Sequence, residues 1–377
     1  MATKSMNKQS ISFLLGAGFS IPMGYPIAGD LNKKLLNLQG ESLNFNPIGQ
    51  LMEIRQAGNV PLSGFPTPHD KRFEQCIQLI DKYRVNFDYE EFFDIIKEKE
   101  AEGTYSDMEY VYQQVVANLI QDKDGHCWYE GDSLPSTYFQ KYDGFLSALN
   151  DWSMQGDVYV HTLNHDLLFE GLGKTVKLTG RISDGFTITD SCYYGTIKEG
   201  KEKKEVPLKY YTGKYDTNIR LYKLHGSVDQ VFFKEEEDGM LYPKVCLKLV
   251  KGVGLETLLK KRDGIIEQAD WTNFCPNFLT GKKSKERQYG ESILYDNLFR
   301  AFKKNLSSSN RLIIIGYGFK DEGINNIIYN NFKYALGQIY IVDPVPSKQV
   351  KEFAARVNAK LIAKSVENVA ESMFDCC

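Results

Sequence analysis

Ile11-Ser12-Phe13-Leu14-Leu15-Gly16-Ala17-Gly18-Phe19-Ser20 is the stretch on which the fold turns. A nearly continuous apolar run that stops on a Gly-Ala-Gly turn is the pattern of a strand buried on both faces, as in a parallel sheet. A helix expected to begin near Ala28 completes a strand–turn–helix unit. Glycines in such a turn let backbone N–H groups approach a pyrophosphate, and the helix N-terminus beyond favours its charge. Ile21 stands where a GxGxxG fingerprint has its third glycine, so a tight turn without a ligand stays open beside the phosphate reading. Gly16, Ala17, Gly18 and Ser20 are the candidate contacts.

Four further runs repeat the pattern: Val158 to Leu163 before Asn164, Leu221 to Leu224 before His225, Leu312 to Ile315 before Gly316, and Ile339 to Val342 before Asp343. Together they predict an α/β fold, a Rossmann-like, doubly wound and mostly parallel sheet. Ligands of such sheets bind beyond the carboxyl ends of the strands, and there this chain places its unusual residues. Asn164 and Asp166, in Thr162-Leu163-Asn164-His165-Asp166, suit ribose hydroxyls or a water, and equally an Asx turn. His165 is expected to be structural, its side chain leaving the strand end on the face opposite its neighbours. His225, with Gly226 and Ser227, has the pKa range of a general base, although a lone histidine also serves as a satisfied structural residue. Gly316, Tyr317, Gly318, Asp321 and Asn325 form a second small-residue turn and helix start. The Asp343 carboxylate suits the hydroxyl or amino groups of an adenosine.

Between the first two runs the chain reads mainly as helices. Phe73, Ile77 and Ile80, then Phe92, Phe93, Ile95 and Ile96, and then Met108, Val111, Val115 and Leu119 follow helical spacing. Ser106 and Glu109 resemble a capping box. The expected organisation is one domain with its core at about 8–44, 156–228 and 308–377, a large helical insertion at about 45–155 and a second insertion at about 229–307. Lys198 to Lys209 and Lys234 to Asp238 read as solvated hairpin tips or loops. Val350 to Val357 and Leu361 to Ala363 read as a closing helix and strand.

Over 377 residues, 46 Lys and Arg balance 49 Asp and Glu, which leaves no electrostatic footprint for nucleic acid. No apolar run is long enough to cross a membrane, and Ile11 to Phe19 lacks the cleavage site of a signal peptide, so a cytoplasmic location is expected. Seven cysteines without any CxxC pair speak for reduced thiols and against a zinc ribbon. His69, His126 and His161 form no metal set, and His161 and His165, four apart, sit on a strand rather than a helix. No metal site and no zinc are expected.

The ordered set GAGFS, TLNHD, KLHGS, IIIGYGFKD and IVDP resembles the sirtuin superfamily, and most closely the sirtuin-like NAD-cleaving domains of bacterial antiphage defence. Gly16 to Leu31, with Pro22, Gly24 and Pro26, is similar to their form of the flexible cofactor loop. The motifs sample residues 11 to 344 and leave both insertions uncovered. The resemblance implies that NAD is the substrate, that Asn164 and His225 are the catalytic pair, and that Asp166 supports the ribose region. The chain departs from the deacetylases of that superfamily in lacking paired zinc cysteines, and from the usual motif in having His165. A protein deacylase and a non-catalytic NAD or ADP-ribose sensor are the alternatives. An unrestrained NAD hydrolase would exhaust its host's cofactor. A homo-oligomer governed by a separate partner is therefore expected, and the resemblance suggests a ring-forming translocase ATPase or a phage sensor in that role.

Overall fold

The five apolar runs become adjacent strands of one seven-stranded parallel sheet. The computed structural model describes residues 9–38, 42–45, 51–55, 68–104, 108–126, 129, 134–135, 137–199, 202–237, 240–251, 253–270, 279–281 and 292–374. The strands are β1 (Gln9–Leu15), β2 (Gly156–Thr162), β3 (Ile182–Ser183), β4 (Ile219–Lys223), β5 (Arg311–Ile315), β6 (Gln338–Val342) and β7 (Lys360–Ile362), in the order β7-β6-β5-β1-β2-β4-β3. β1 is central, with β5 on one side and β2 on the other, so the strand order reverses there. This is an α/β, Rossmann-like architecture.

Alternation along the strands explains why the runs are continuous. Ile11, Phe13 and Leu15 of β1, Val158 and Val160 of β2, and Ile313 and Ile315 of β5 face one core layer. Leu14, Tyr159, Leu312 and Ile314 face the other. With both faces covered, no polar stripe is needed. The first layer is closed by α1 (Ala28–Leu36), α2 (Pro68–Lys82), α3 (Tyr89–Ala101), α4 (Met108–Leu119) and α5 (Asp143–Gln155); a one-turn α6 (Leu168–Leu172) follows β2. The second layer is closed by α7 (Ile293–Ser308), α8 (Glu322–Asn331) and α9 (Lys348–Arg356).

His161 is fully buried between Tyr222 and Phe302, at ring distances of 5.0 and 4.7 Å. Burial lowers its pKa to about 3. The neutral ring donates from Nδ1 to the Phe13 carbonyl at 2.9 Å and accepts from the Asn305 amide at 3.1 Å.

The structure adjusts several boundaries. The stretch from residue 70 to 100 is two helices, because Asn86 adopts a left-handed φ of 58° and the Asp88 carboxylate caps α3 by accepting from Glu90 and Glu91 N–H, both at 3.1 Å. Ser106 lies outside the described residues, and the Glu109 N–H donates to Glu100 instead. β2 and β4 end at Thr162 and Lys223, one residue before the expected Leu163 and Leu224. The charged stretch after Lys198 is a hairpin, Tyr193–Glu199 against Glu202–Pro207, with the second strand exposed for most of its length.

Two four-stranded antiparallel sheets, and a two-stranded one that pairs Ser42–Phe45 with Leu51–Arg55, have no counterpart in the sequence reading. One four-stranded sheet has the order Gln230–Glu237, Met240–Lys248, Lys209–Tyr211, Phe186–Thr187, and the other Ile265–Asp270, Val253–Arg262, Tyr193–Glu199, Glu202–Pro207. Among the described residues no helix is long and apolar enough to cross a membrane.

Candidate functional site

A cavity of about 1250 Å³ opens at the carboxyl ends of β1, β5, β6, β2 and β4. Two glycine turns form its floor. Gly16 N–H donates to the Ile315 carbonyl at 3.0 Å and Gly18 N–H to the Gly316 carbonyl at 2.9 Å, locking the turn after β1 onto the turn after β5. The glycines are required by this contact. A Cβ on Gly16 would stand 2.6 Å from the Gly316 oxygen, and one on Gly316, whose φ is 64°, 2.4 Å from the Gly18 carbonyl carbon. Gly318 differs: a Cβ there meets nothing within 4 Å, so the protein itself does not demand a glycine at that point of the cavity wall.

His225 lines the cavity beside these turns, although its residue is only 5% exposed, and its Nε2 stands 3.5 Å from Asp321 Oδ2. The other Asp321 oxygen accepts from Ile324 N–H at 3.0 Å and so caps α8. One carboxylate thus starts a helix and flanks the histidine. The backbone around His225 is fixed by Leu279 N–H, which donates to its carbonyl at 2.8 Å.

Asn164 and Asp166 face the other way. Asn164 Nδ2 donates to the Gly16 carbonyl and to Ser20 Oγ, each at 3.0 Å, and Ser20 Oγ donates to Asp166 Oδ2 at 2.8 Å. Leu168 N–H donates to the second Asp166 oxygen at 3.0 Å. All three side chains are buried beneath the glycine turn and do not line the cavity. His165 does line it, its ring 6.3 Å from that of His225. Side chains alternate at this strand end as expected, but with the faces exchanged, so the expectation that His165 points away from the site is corrected.

Of the remaining expected contacts, Ala17, Tyr317 and Asp343 line the cavity. Asn325 does not: it accepts from Tyr317 OH at 3.0 Å and donates to the Phe319 carbonyl at 3.0 Å, bracing the second turn from behind. Gly226 takes a left-handed φ of 79° in the turn after His225, and Ser227 Oγ donates to the His165 carbonyl at 3.4 Å; neither reaches the cavity. The sequence reading missed Asp88 and Glu90 at the start of α3, Lys141, and Lys364 to Glu367, all of which line the outer wall. The Asp88 cap was the available signal.

Burial holds the Asp166 carboxyl above its usual range, against the opposing effects of Lys223 and of the hydrogen bonds from Ser20 and Leu168. A raised folded-state pKa means that folding favours the protonated form. The contribution of this carboxyl to native stability is therefore fully present below the ordinary carboxyl value and is lost as pH rises through the raised one. Asp166→Asn, which keeps an acceptor for Leu168 N–H, can offer its amide N–H to Ser20 Oγ and removes the charge, is expected to unfold at higher denaturant than the parent at pH 8, with the difference shrinking at pH 4. Urea melts at the two pH values check this.

Residues 123 to 142 hold the segment after the first turn. Tyr142 OH donates to the Phe19 carbonyl at 2.6 Å, Lys141 Nζ to the Pro22 carbonyl at 3.0 Å and Lys123 N–H to the Met23 carbonyl at 2.8 Å. Among the described residues Asp122, Asp124 and His126 bring potential metal ligands within 4.8 Å of one another. The Asp122 oxygens there already accept from Asp124 N–H at 2.9 Å, His126 N–H at 2.8 Å and Tyr129 OH at 3.1 Å, and from Tyr138 OH. Cys76 and Cys246 are buried thiols and Cys192 is half-buried; the other four cysteines lie outside the described residues. Burial pushes the Cys76 thiol up to about 12.

No protein-family model matches this chain. No curated protein matches it either. Solved structures do. One described as the structural basis for the mechanism and regulation of Sir2 enzymes is 12% identical, covers 96% of this chain and 88% of its own, and has a TM-score of 0.37. One on the structural basis of sirtuin substrate affinity is 12% identical over 99% and 98%, with a TM-score of 0.36. A mutant Sir2 homologue in complex with ADP-ribose is 13% identical over 97% and 90%, with a TM-score of 0.36.

Proposed function

We propose that this protein cleaves the bond between nicotinamide and ribose in NAD, releasing nicotinamide and ADP-ribose, and that it serves as an NAD-depleting effector of antiphage defence. The observation that carries the chemistry is the convergence of His225, flanked by Asp321, with two glycine turns on one cavity at a strand-order reversal. The defence role rests on the motif resemblance, and the homo-oligomer and its separate activating partner on the need to restrain an enzyme that would otherwise exhaust its host's NAD.

In this reading the pyrophosphate lies along Gly16 to Gly18 and Gly316 to Gly318, and the adenosine reaches toward Asp343. The C–N bond breaks with its electron pair returning to the pyridinium ring, which leaves neutral, while oxocarbenium character develops on the ribose carbon. Water attacks the opposite face, and its proton passes to His225, either directly or through a ribose hydroxyl. Asn164 and Asp166 act through Ser20, fixing the turn that receives the phosphates.

The test is purified protein with NAD, quantifying nicotinamide, ADP-ribose and its cyclic form, with Gly318→Ala alongside. Because a Cβ at 318 meets no protein atom, that variant is expected to keep its stability to within about 0.5 kcal/mol and to show a KM for NAD raised several-fold. Absence of nicotinamide release by the chain alone and with proteins encoded beside it would overturn the reading.

A further inference from the structure

We propose that Lys223 is a positioning residue for this reaction, a buried ammonium that ties the Thr162–Asp166 segment to the Leu224–Ser227 segment. The proposal rests on the NAD-cleaving reading and deepens it.

Lys223 is the last residue of β4 and pairs in register with Thr162, the last residue of β2. Its side chain is 3% exposed. Nζ donates to the main-chain carbonyl of Asp166 and stands 3.4 Å from Glu170 Oε1. Two residues further along the chain is His225. On the other side, Asp166 receives Ser20 Oγ–H, and Ser20 in turn receives the Asn164 amide, which also reaches the Gly16 carbonyl. One continuous polar chain thus runs from the strand that leads into His225 to the glycine turn on the cavity floor.

The outer end is anchored as well. Glu170 Oε1 also lies 3.5 Å from Lys248 Nζ, which reaches Asp184 at 2.6 Å and Asp229 at 3.4 Å. Lys248 closes one of the antiparallel strands, and Asp229 follows His225 by four residues. Two ammoniums and three carboxylates are therefore gathered behind the site, Lys223 and Asp229 buried and the other three half-buried.

Taking an ammonium out of water costs several kcal/mol unless it is paired, and an apolar side chain of the same length fills such space more cheaply. What the lysine supplies, and an apolar chain cannot, is a directional hold on the Asp166 carbonyl. It also places a positive charge beside the Asp166 carboxyl. The other groups acting on that carboxyl are Glu170 from α6 and the phenols of Tyr25, Tyr129 and Tyr142, all three of which burial holds far above their usual range.

The experiment combines two readouts on the full chain: the Asp166 carboxyl titrated by carbon-13 NMR without ligand, and steady-state NAD cleavage. Lys223→Met is expected to raise the Asp166 midpoint by about one unit or more and to lower kcat with KM nearly unchanged, whereas Lys223→Arg restores part of both. Glu170→Gln removes a negative neighbour and is expected to move the midpoint the opposite way, a signature that loss of packing would not produce. A folded Lys223→Met with unchanged midpoint and kcat would overturn the proposal; if that variant does not fold, a Glu170→Gln midpoint that stays or rises would do so. A parent that releases no nicotinamide would remove the NAD reading, and the Asp166 titration would then decide the positioning claim by itself.

Discussion

Replacing His225 by alanine is expected to lower kcat for NAD cleavage by about 100-fold to 10,000-fold, the usual contribution of a positioned general base. KM should change little, because the glycine turns and Asp343, which also line the cavity, are untouched. The His225 carbonyl still accepts from Leu279 N–H, so the backbone of the turn keeps its hold and the far-UV spectrum should match the parent. Asp321 retains its bond from Ile324 N–H and keeps α8 capped. Full progress curves for parent and variant, with the free nicotinamide quantified, measure the effect. A folded variant with undiminished kcat would remove His225 from the mechanism.

The second large effect is on folding. Gly316→Ala is expected to destabilise the protein by about 2–5 kcal/mol, combining about 1–2 for a side chain in the left-handed region with about 1–3 for overpacking. The added Cβ would lie 2.4 Å from both the Gly18 carbonyl carbon and the Phe19 nitrogen, which are backbone atoms with no rotamer to change. Relief requires the two turns to part, so the Gly18 N–H bond to the Gly316 carbonyl is lost with the fit. Gly318→Ala, two residues away, supplies the control: same turn, same substitution, no contact. Urea midpoints of the two variants should differ by most of the expected amount, and equal midpoints would show that the turns do not pack as described.

The central strands were readable because burial on both faces leaves one signature, an apolar run with an abrupt polar or glycine stop, and Ile11 to Leu15 and Leu312 to Ile315 carry it without ambiguity. β3 was not, since two residues, Ile182 and Ser183, contain no period. The antiparallel sheets escaped for a different reason: their pairing joins Lys209 and Tyr210 to Lys248 and Leu247, positions that no local pattern connects.

At the site, residue types were legible and directions were not. Asn164, Asp166 and His225 stand out as chemistry-bearing groups at strand ends. Which of them face the cavity depends on where β2 stops and on Ser20, a residue far away in the chain that draws Asn164 and Asp166 beneath the turn. Asp321 was readable as a helix start, but its second role beside His225 depends on β4 and α8 meeting in space. Asp88 and Glu90 reach the cavity only because α3 packs across α1, where Tyr89 N–H donates to Asn32 at 2.9 Å.

The pairing of β1 also sets a schedule for synthesis. Its two neighbours lie roughly 150 and 300 residues further along the chain, a separation that makes such contacts slow to form. At a translation rate of about 5–20 residues per second, Ile11 to Leu15 waits some tens of seconds for its second partner, an open apolar edge that other chains can meet first. The floor of the cavity does not exist until Gly316 closes on Gly18, and its wall not until Asp343 has emerged. A chain stopped short of Asp343 therefore lacks the complete cavity: whatever the cavity holds, it holds only once synthesis has passed that residue.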